Sequence, residues 1–154
     1  MTKVLFPGSF DPFTKGHENI IAKAIKIFDQ VVIGVSEVSS KKPLFSIGER
    51  VAMIEDLYND EIKVKVLSFN GLLVDFCNQH NIHVILRSIR NIQDLNTEIM
   101  MANVNRIIGN DLQTVFIAPD LDKVHISSSL AKELIKAGAN LEDILSEQII
   151  AKVL

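Results

Sequence analysis

The stretch Val4-Leu5-Phe6-Pro7-Gly8-Ser9-Phe10-Asp11-Pro12-Phe13-Thr14-Lys15-Gly16-His17 constrains the chain most, because it joins a short apolar strand to an amphipathic helix through a loop that can be neither. Its prolines lack an N–H and its glycines loosen the backbone, so regular structure stops after Phe6 and resumes where Gly16 and His17 open the next helix. In that helix Ile20, Ile21, Ala24, Ile27 and Phe28 recur at three-and-four spacing, with Lys23 and Lys26 on the other side. Val31-Val32-Ile33-Gly34-Val35 follows as a continuous apolar run, the pattern of a strand covered on both faces. Strand, helix and strand in that order imply a right-handed parallel crossover. Ligands of open parallel sheets bind beyond the carboxyl ends of the strands, and a helix N-terminus there suits phosphate. The Ser9 hydroxyl and the His17 imidazole therefore fall at the mouth of a candidate site.

Three more strands can be read. Val64 and Val66, with Ile62 before them, alternate with Lys63 and Lys65, as near a sheet edge, whereas Val84-Ile85-Leu86 is fully apolar and Thr114-Val115-Phe116-Ile117-Ala118 completes the set of five. Helices are predicted from the capping box Ser46-Ile47-Gly48-Glu49, after Asn70-Gly71, from Ile92 to Ile108, after Ser127, and in short pieces over 141–145 and 147–153. The expected fold is α/β, a Rossmann-like open five-stranded parallel sheet with helices on both faces. Its 154 residues suit a single domain, 1–154, and 47% apolar with 23% charged residues is a folding composition. A net charge of −3 argues against non-specific nucleic-acid or bilayer binding, so any phosphate binding must be local. Cys77 is the lone cysteine, which rules out an intramolecular disulfide and makes a cytoplasmic home the default. The opening residues show no basic leader and no window reaches the roughly 18 apolar residues of a membrane span, so neither export nor anchoring is expected.

The remaining polar clusters follow strand ends. Lys41 and Lys42 lie in the loop after the second strand; two such lysines alone read as a solvated tip, but on the rim shared with Ser9 and His17 one of them can reach an anion. Arg87-Ser88-Ile89-Arg90 follows the fourth strand, where guanidinium groups three apart can make planar, charge-assisted contacts with phosphate. Ser127 reads as an N-cap, and three hydroxyls in succession, Ser127-Ser128-Ser129, exceed what capping needs and suit a polyphosphate. Ile99, Met100, Val104, Ile107 and Ile108 form a stripe read as core or subunit contact. Cys77, His80 and His83 have a spacing that tempts a metal reading, but no fourth ligand is near, and a buried thiol with two surface histidines is the better account. A lone histidine at a helix start usually satisfies a nearby carbonyl; Thr14-x-Gly16-His17 after a strand and this loop is a far more demanding pattern.

That box resembles the Thr-x-Gly-His or His-x-Gly-His signature of the nucleotidyltransferase superfamily. With Pro7-Gly8-Ser9-Phe10-Asp11-Pro12, Ser40-Lys41-Lys42-Pro43, Arg87-x-x-Arg90 and Ile126-Ser127-Ser128-Ser129 in order, the chain is similar nearly end to end to the bacterial phosphopantetheine adenylyltransferases. The resemblance implies transfer of AMP from ATP to 4′-phosphopantetheine, giving dephospho-coenzyme A and pyrophosphate. It implies that His17 is catalytic, as a hydrogen-bond donor. It further implies that Ser9, Lys41, Leu73 and Arg87 contact phosphopantetheine, while Ser9, Phe10, His17, Ser88, Ile89, Arg90, Glu98 and the run Lys123, Val124, His125, Ile126, Ser127, Ser128 and Ser129 contact ATP. A homohexamer and a requirement for Mg2+ are also implied; the lack of an obvious carboxylate cage in the sequence leads to the expectation that substrate and water hold the ion, with no protein metal ligand. Departures from the family's usual wording are Ser9 for threonine, Ser88 for glycine, and the less aromatic segments 94–98 and 123–125. The alternatives are a related cytidylyltransferase or nicotinamide mononucleotide adenylyltransferase, and a nonenzymatic nucleotide sensor.

Overall fold

The computed structural model describes residues 1–38 and 42–154. Strands β1 (Lys3–Gly8), β2 (Gln30–Ser36), β3 (Val64–Phe69), β4 (Val84–Ser88) and β5 (Gln113–Ile117) form one sheet in the order β3-β2-β1-β4-β5. Every neighbouring pair is parallel. Helices α1 (Lys15–Ile27), α2 (Ile47–Leu57), α3 (Leu73–Gln79), α4 (Ile92–Ile108), α5 (Ser128–Ala137) and α6 (Glu147–Val153) complete the chain. The chain winds outward from β1 to β3, then crosses back to lay β4 on the other side of β1. This reversal opens a crevice at the carboxyl ends of β1 and β4, the usual ligand position in such sheets.

The continuous apolar strands are explained by burial on two faces. Val4, Phe6, Val31, Ile33 and Leu86 face a core shared with Ile20 and Ile21 of α1, Met53 and Ile54 of α2, Ala131 of α5 and Ile149 of α6. Leu5, Val32 and Ile85 face the other way, against Val74, Phe76 and Cys77 of α3. β3 is an edge strand, as its lysine alternation predicts, but it begins at Val64 and leaves Ile62 exposed. Residues 141–145 make one turn rather than a helix, with Leu145 N–H donating to Leu141 O at 2.8 Å. The stripe on α4 is not core within this chain: the helix buries no residue fully, and Ile107 is 75% exposed.

Candidate active site

The β1–α1 loop is shaped around His17. Phe10 adopts a left-handed backbone (φ 47°), and its ring packs 5.4 Å from that of Phe6, 5.2 Å from Phe13 and edge-on to His17 at 5.0 Å. Gly8 makes room for this ring, since a Cβ there would stand 2.9 Å from it. Thr14 is the N-cap of α1 and His17 its third residue, and Thr14 N–H donates to His17 Nδ1 at 2.9 Å. The imidazole thus holds the place that the Glu49 carboxylate holds at the start of α2, where it accepts from Ser46 N–H. An Nδ1 that accepts a hydrogen bond leaves the ring proton on Nε2, so His17 offers an N–H to the cleft it lines. Burial among the aromatic rings, with Arg90 and then Arg87 nearby, lowers its pKa to about 3. His17 is therefore a neutral donor.

The cleft encloses about 300 Å³. Arg87 enters it from β4, gripped by Glu98 through Nε (2.9 Å) and Nη2 (2.7 Å), while Nη1 donates to Pro7 O at 2.9 Å. Arg90 is paired with Asp94, Nε to Oδ2, at 3.1 Å. Each arginine is thus held by a carboxylate of α4, which fixes the direction of its guanidinium in the cleft. The mouth of α5 forms the opposite wall. Ser127 Oγ accepts from Leu130 N–H at 3.1 Å as the helix cap, and Ser128 Oγ donates to Pro12 O at 2.9 Å. Two of the three hydroxyls are thus occupied structurally, and an anion there would meet chiefly first-turn backbone N–H groups and the helix dipole. Gly16 lets the two helix mouths approach, because a Cβ there would sit 3.3 Å from Ile126 O.

Of the other residues singled out from sequence, Ser9, Ser88, Lys123 and Ile126 line this cleft, as does Phe10, whose ring is buried at 2% exposure. Leu73 lines an adjoining chamber of about 440 Å³, with Phe69, Ile85 and Met101, that shares Ser9, Arg87 and Glu98 with the cleft. Ser129 faces a separate hollow beside Lys42, Lys132 and Lys136. Ile89 is tied by its N–H to Ile117 O at 3.2 Å and lies with Val124 and the exposed His125 outside the cleft lining. Lys41 lies outside the described residues. Sequence reasoning did not single out Asp94, Asp11 or Arg50. The first had a signal, its i, i+4 spacing from Arg90; the other two are functional candidates only because they are buried together behind the loop.

Residues 5–134 match the Cytidylyltransferase-like family. Over 142 residues the chain is 39% identical to the phosphopantetheine adenylyltransferase of Nitrosospira multiformis, covering 92% of this chain and 86% of that protein. It is 38% identical to the enzyme of the same name from Dictyoglomus thermophilum over 99% of this chain and 93% of that one, and 39% identical to that of Heliobacterium modesticaldum over 99% and 91%. Among solved structures, the lipopolysaccharide core biosynthesis protein from Thermoplasma volcanium superposes with a TM-score of 0.58 over 77% of this chain and 98% of that one. At 20% identity this likeness speaks for the fold alone. The relatives' identity and coverage, together with the histidine box at the strand crossover, make the chain a member of the phosphopantetheine adenylyltransferase family within the Cytidylyltransferase-like group.

Proposed function

We propose that the protein transfers AMP from ATP to the phosphate of 4′-phosphopantetheine. An oxygen of the acceptor phosphate attacks the α-phosphorus in line, the bond from that phosphorus to the bridging α–β oxygen breaks, and pyrophosphate leaves with the electron pair. The nucleophile is already an anion, so no general base is required; the protein has to align a phosphate monoester with a triphosphate that repels it and stabilise charge on the α-phosphoryl group. A neutral His17 can serve that task by donating a hydrogen bond from Nε2 without transferring its proton. Arg87 and Lys41 are assigned to the acceptor phosphate, and Arg90 with the mouth of α5 to the β- and γ-phosphates.

The observation that carries this reading is the junction of two unlike cavities at Arg87. One is polar and bounded by a helix mouth, fit for a triphosphate; the other is walled by Leu73, Phe69 and Met101, fit for a pantetheine arm. A nucleotide acceptor such as nicotinamide mononucleotide has no comparable use for the second. Magnesium belongs to the reading as an ion carried by ATP, where it would neutralise phosphate charge. The carboxylates lining the cleft, Asp94 and Glu98, are engaged by arginines, and among the described residues no three His, Cys, Asp or Glu side chains gather. That donor set suits an ion ligated by phosphate and water.

The reading also includes a homohexamer, for which the exposed apolar residues of α4 offer a contact surface, and a cytoplasmic home. Among the described residues no helix is long and apolar enough to cross a membrane. The deciding experiment is pyrophosphate release from ATP or CTP with phosphopantetheine or nicotinamide mononucleotide as acceptor. Release is expected only with ATP and phosphopantetheine; turnover with another pair would reassign the chain within its group.

A further inference from the structure

Two buried charged side chains stand behind the cleft, and the transfer reaction as read above gives them no task. Arg50 of α2 is 2% exposed and Asp11 of the β1–α1 loop 3%. They do not neutralise each other, and among the described residues Arg50 has no carboxylate partner. Arg50 Nη1 instead donates to Ser9 O at 2.6 Å and to Ser36 O at 2.9 Å, and its Nε donates to Phe45 O at 3.1 Å. Asp11 accepts from Leu44 N–H at 2.8 Å, from Phe45 N–H at 2.9 Å and from Lys132 Nζ at 3.1 Å.

Two of these six bonds join two pieces of chain directly, and three more run to the same two pieces from Arg50. One is the turn from Ser9 to Asp11, which leads to His17. The other is the loop between β2 and α2, which Arg50 holds at its first end through Ser36 and at its last through Phe45, while Asp11 holds Leu44 and Phe45. A guanidinium kept from water against carbonyl dipoles alone is a poor way to fill a core, where an apolar side chain of similar volume would serve. Its rigid fork reaches three carbonyls at once from two nitrogens, a span that the single nitrogen of an ammonium cannot reproduce. Ser9 and Ser36 both line the apolar chamber, so the carbonyls Arg50 grips set how far apart the ends of β1 and β2 stand at the acceptor's side of the site.

We propose that Arg50 and Asp11 are positioning residues: a buried clamp that fastens both ends of the β2–α2 loop to the Ser9–Asp11 turn and so sets the acceptor phosphate's place relative to His17. The proposal rests on the reading of the site as an adenylyltransferase, and its test separates the two. The full chain is assayed first; if it releases no pyrophosphate with ATP and phosphopantetheine, the functional reading fails before the clamp is examined. Arg50→Lys keeps the charge but cannot span the three carbonyls, and Asp11→Asn keeps the size but removes an acceptor. At a temperature where circular dichroism shows each variant folded, kcat/KM for phosphopantetheine should fall about 30-fold or more, on the scale expected for an ångström of misplacement, while KM for ATP stays within about threefold. The double variant should lose little more than the worse single one, because both act on one loop. Unchanged kinetics in the folded variants, a rise in KM for ATP as large as that for phosphopantetheine and beyond threefold, or failure of both variants to fold would each assign the pair a purely structural role and overturn the proposal.

Discussion

In the proposed transfer His17 acts as a neutral donor, because burial and the two nearby arginines disfavour its charged form. With a folded pKa near 3 against an ordinary 6.5, the unfolded chain binds the proton more readily between those values. The group's contribution to stability is therefore complete above about pH 6.5 and is lost progressively as pH falls toward 3. His17→Gln should flatten the dependence of Tm on pH in that window, measured by thermal denaturation. For the same reason kcat between pH 5 and 8 should show no titration that disappears in this variant. His17→Ala should keep the native circular dichroism and lower kcat by roughly 10² to 10³, the scale of a lost transition-state donor. Arg87 belongs to the same ledger of single groups. Because it stands where the two cavities meet, Arg87→Ala should raise KM for phosphopantetheine more than KM for ATP, and equal losses would contradict the division of the site. The imidazole's place as a capping-box acceptor was available from spacing, since Thr14-x-x-His17 copies Ser46-x-x-Glu49. The side on which its free nitrogen falls was not, because that depends on the rings of Phe10 and Phe13.

Among the elements, α5 shows how structural and ligand duties divide. Ser127 caps the helix and lies at the mouth assigned to phosphate, so Ser127→Ala should cost about 1 kcal/mol of stability, by denaturant titration, and also raise KM for ATP. At the other end Gly138 closes α5 in a left-handed conformation (φ 64°). Gly138→Ala should cost about 1 kcal/mol while leaving both KM values alone, since nothing of the site is near this terminus. The serine run was legible as a helix start. That Ser128 would spend its hydroxyl on Pro12 O and Ser129 would face another hollow follows from the helix's azimuth, which only its packing on the sheet settles.

At the scale of the whole molecule, α4 is anomalous. A helix of 17 residues with no fully buried side chain has little reason to hold its apolar stripe in water. In the homohexamer proposed above this face would be covered, so placing a charge there, as in Ile107→Glu, should shift the protein toward smaller species in light scattering while the isolated chain keeps its secondary structure. A variant that remained as large as the wild type would remove this face from the assembly. The same helix supplies Asp94 and Glu98 to the cleft, so dissociation should also loosen the arginines and lower activity.

The order of apolar runs, their lengths and the turn residues between them were enough to determine five parallel strands, the helices that join them and the loop where chemistry concentrates, because these are local consequences of periodicity and backbone freedom. Tertiary structure alone decided that Arg87 is gripped by Glu98, that Arg50 and Asp11 lie behind the loop, and that two cavities meet. Those relations join residues distant in sequence, and they exist only once the chain reverses across β1 and the sheet brings its strand ends to one rim.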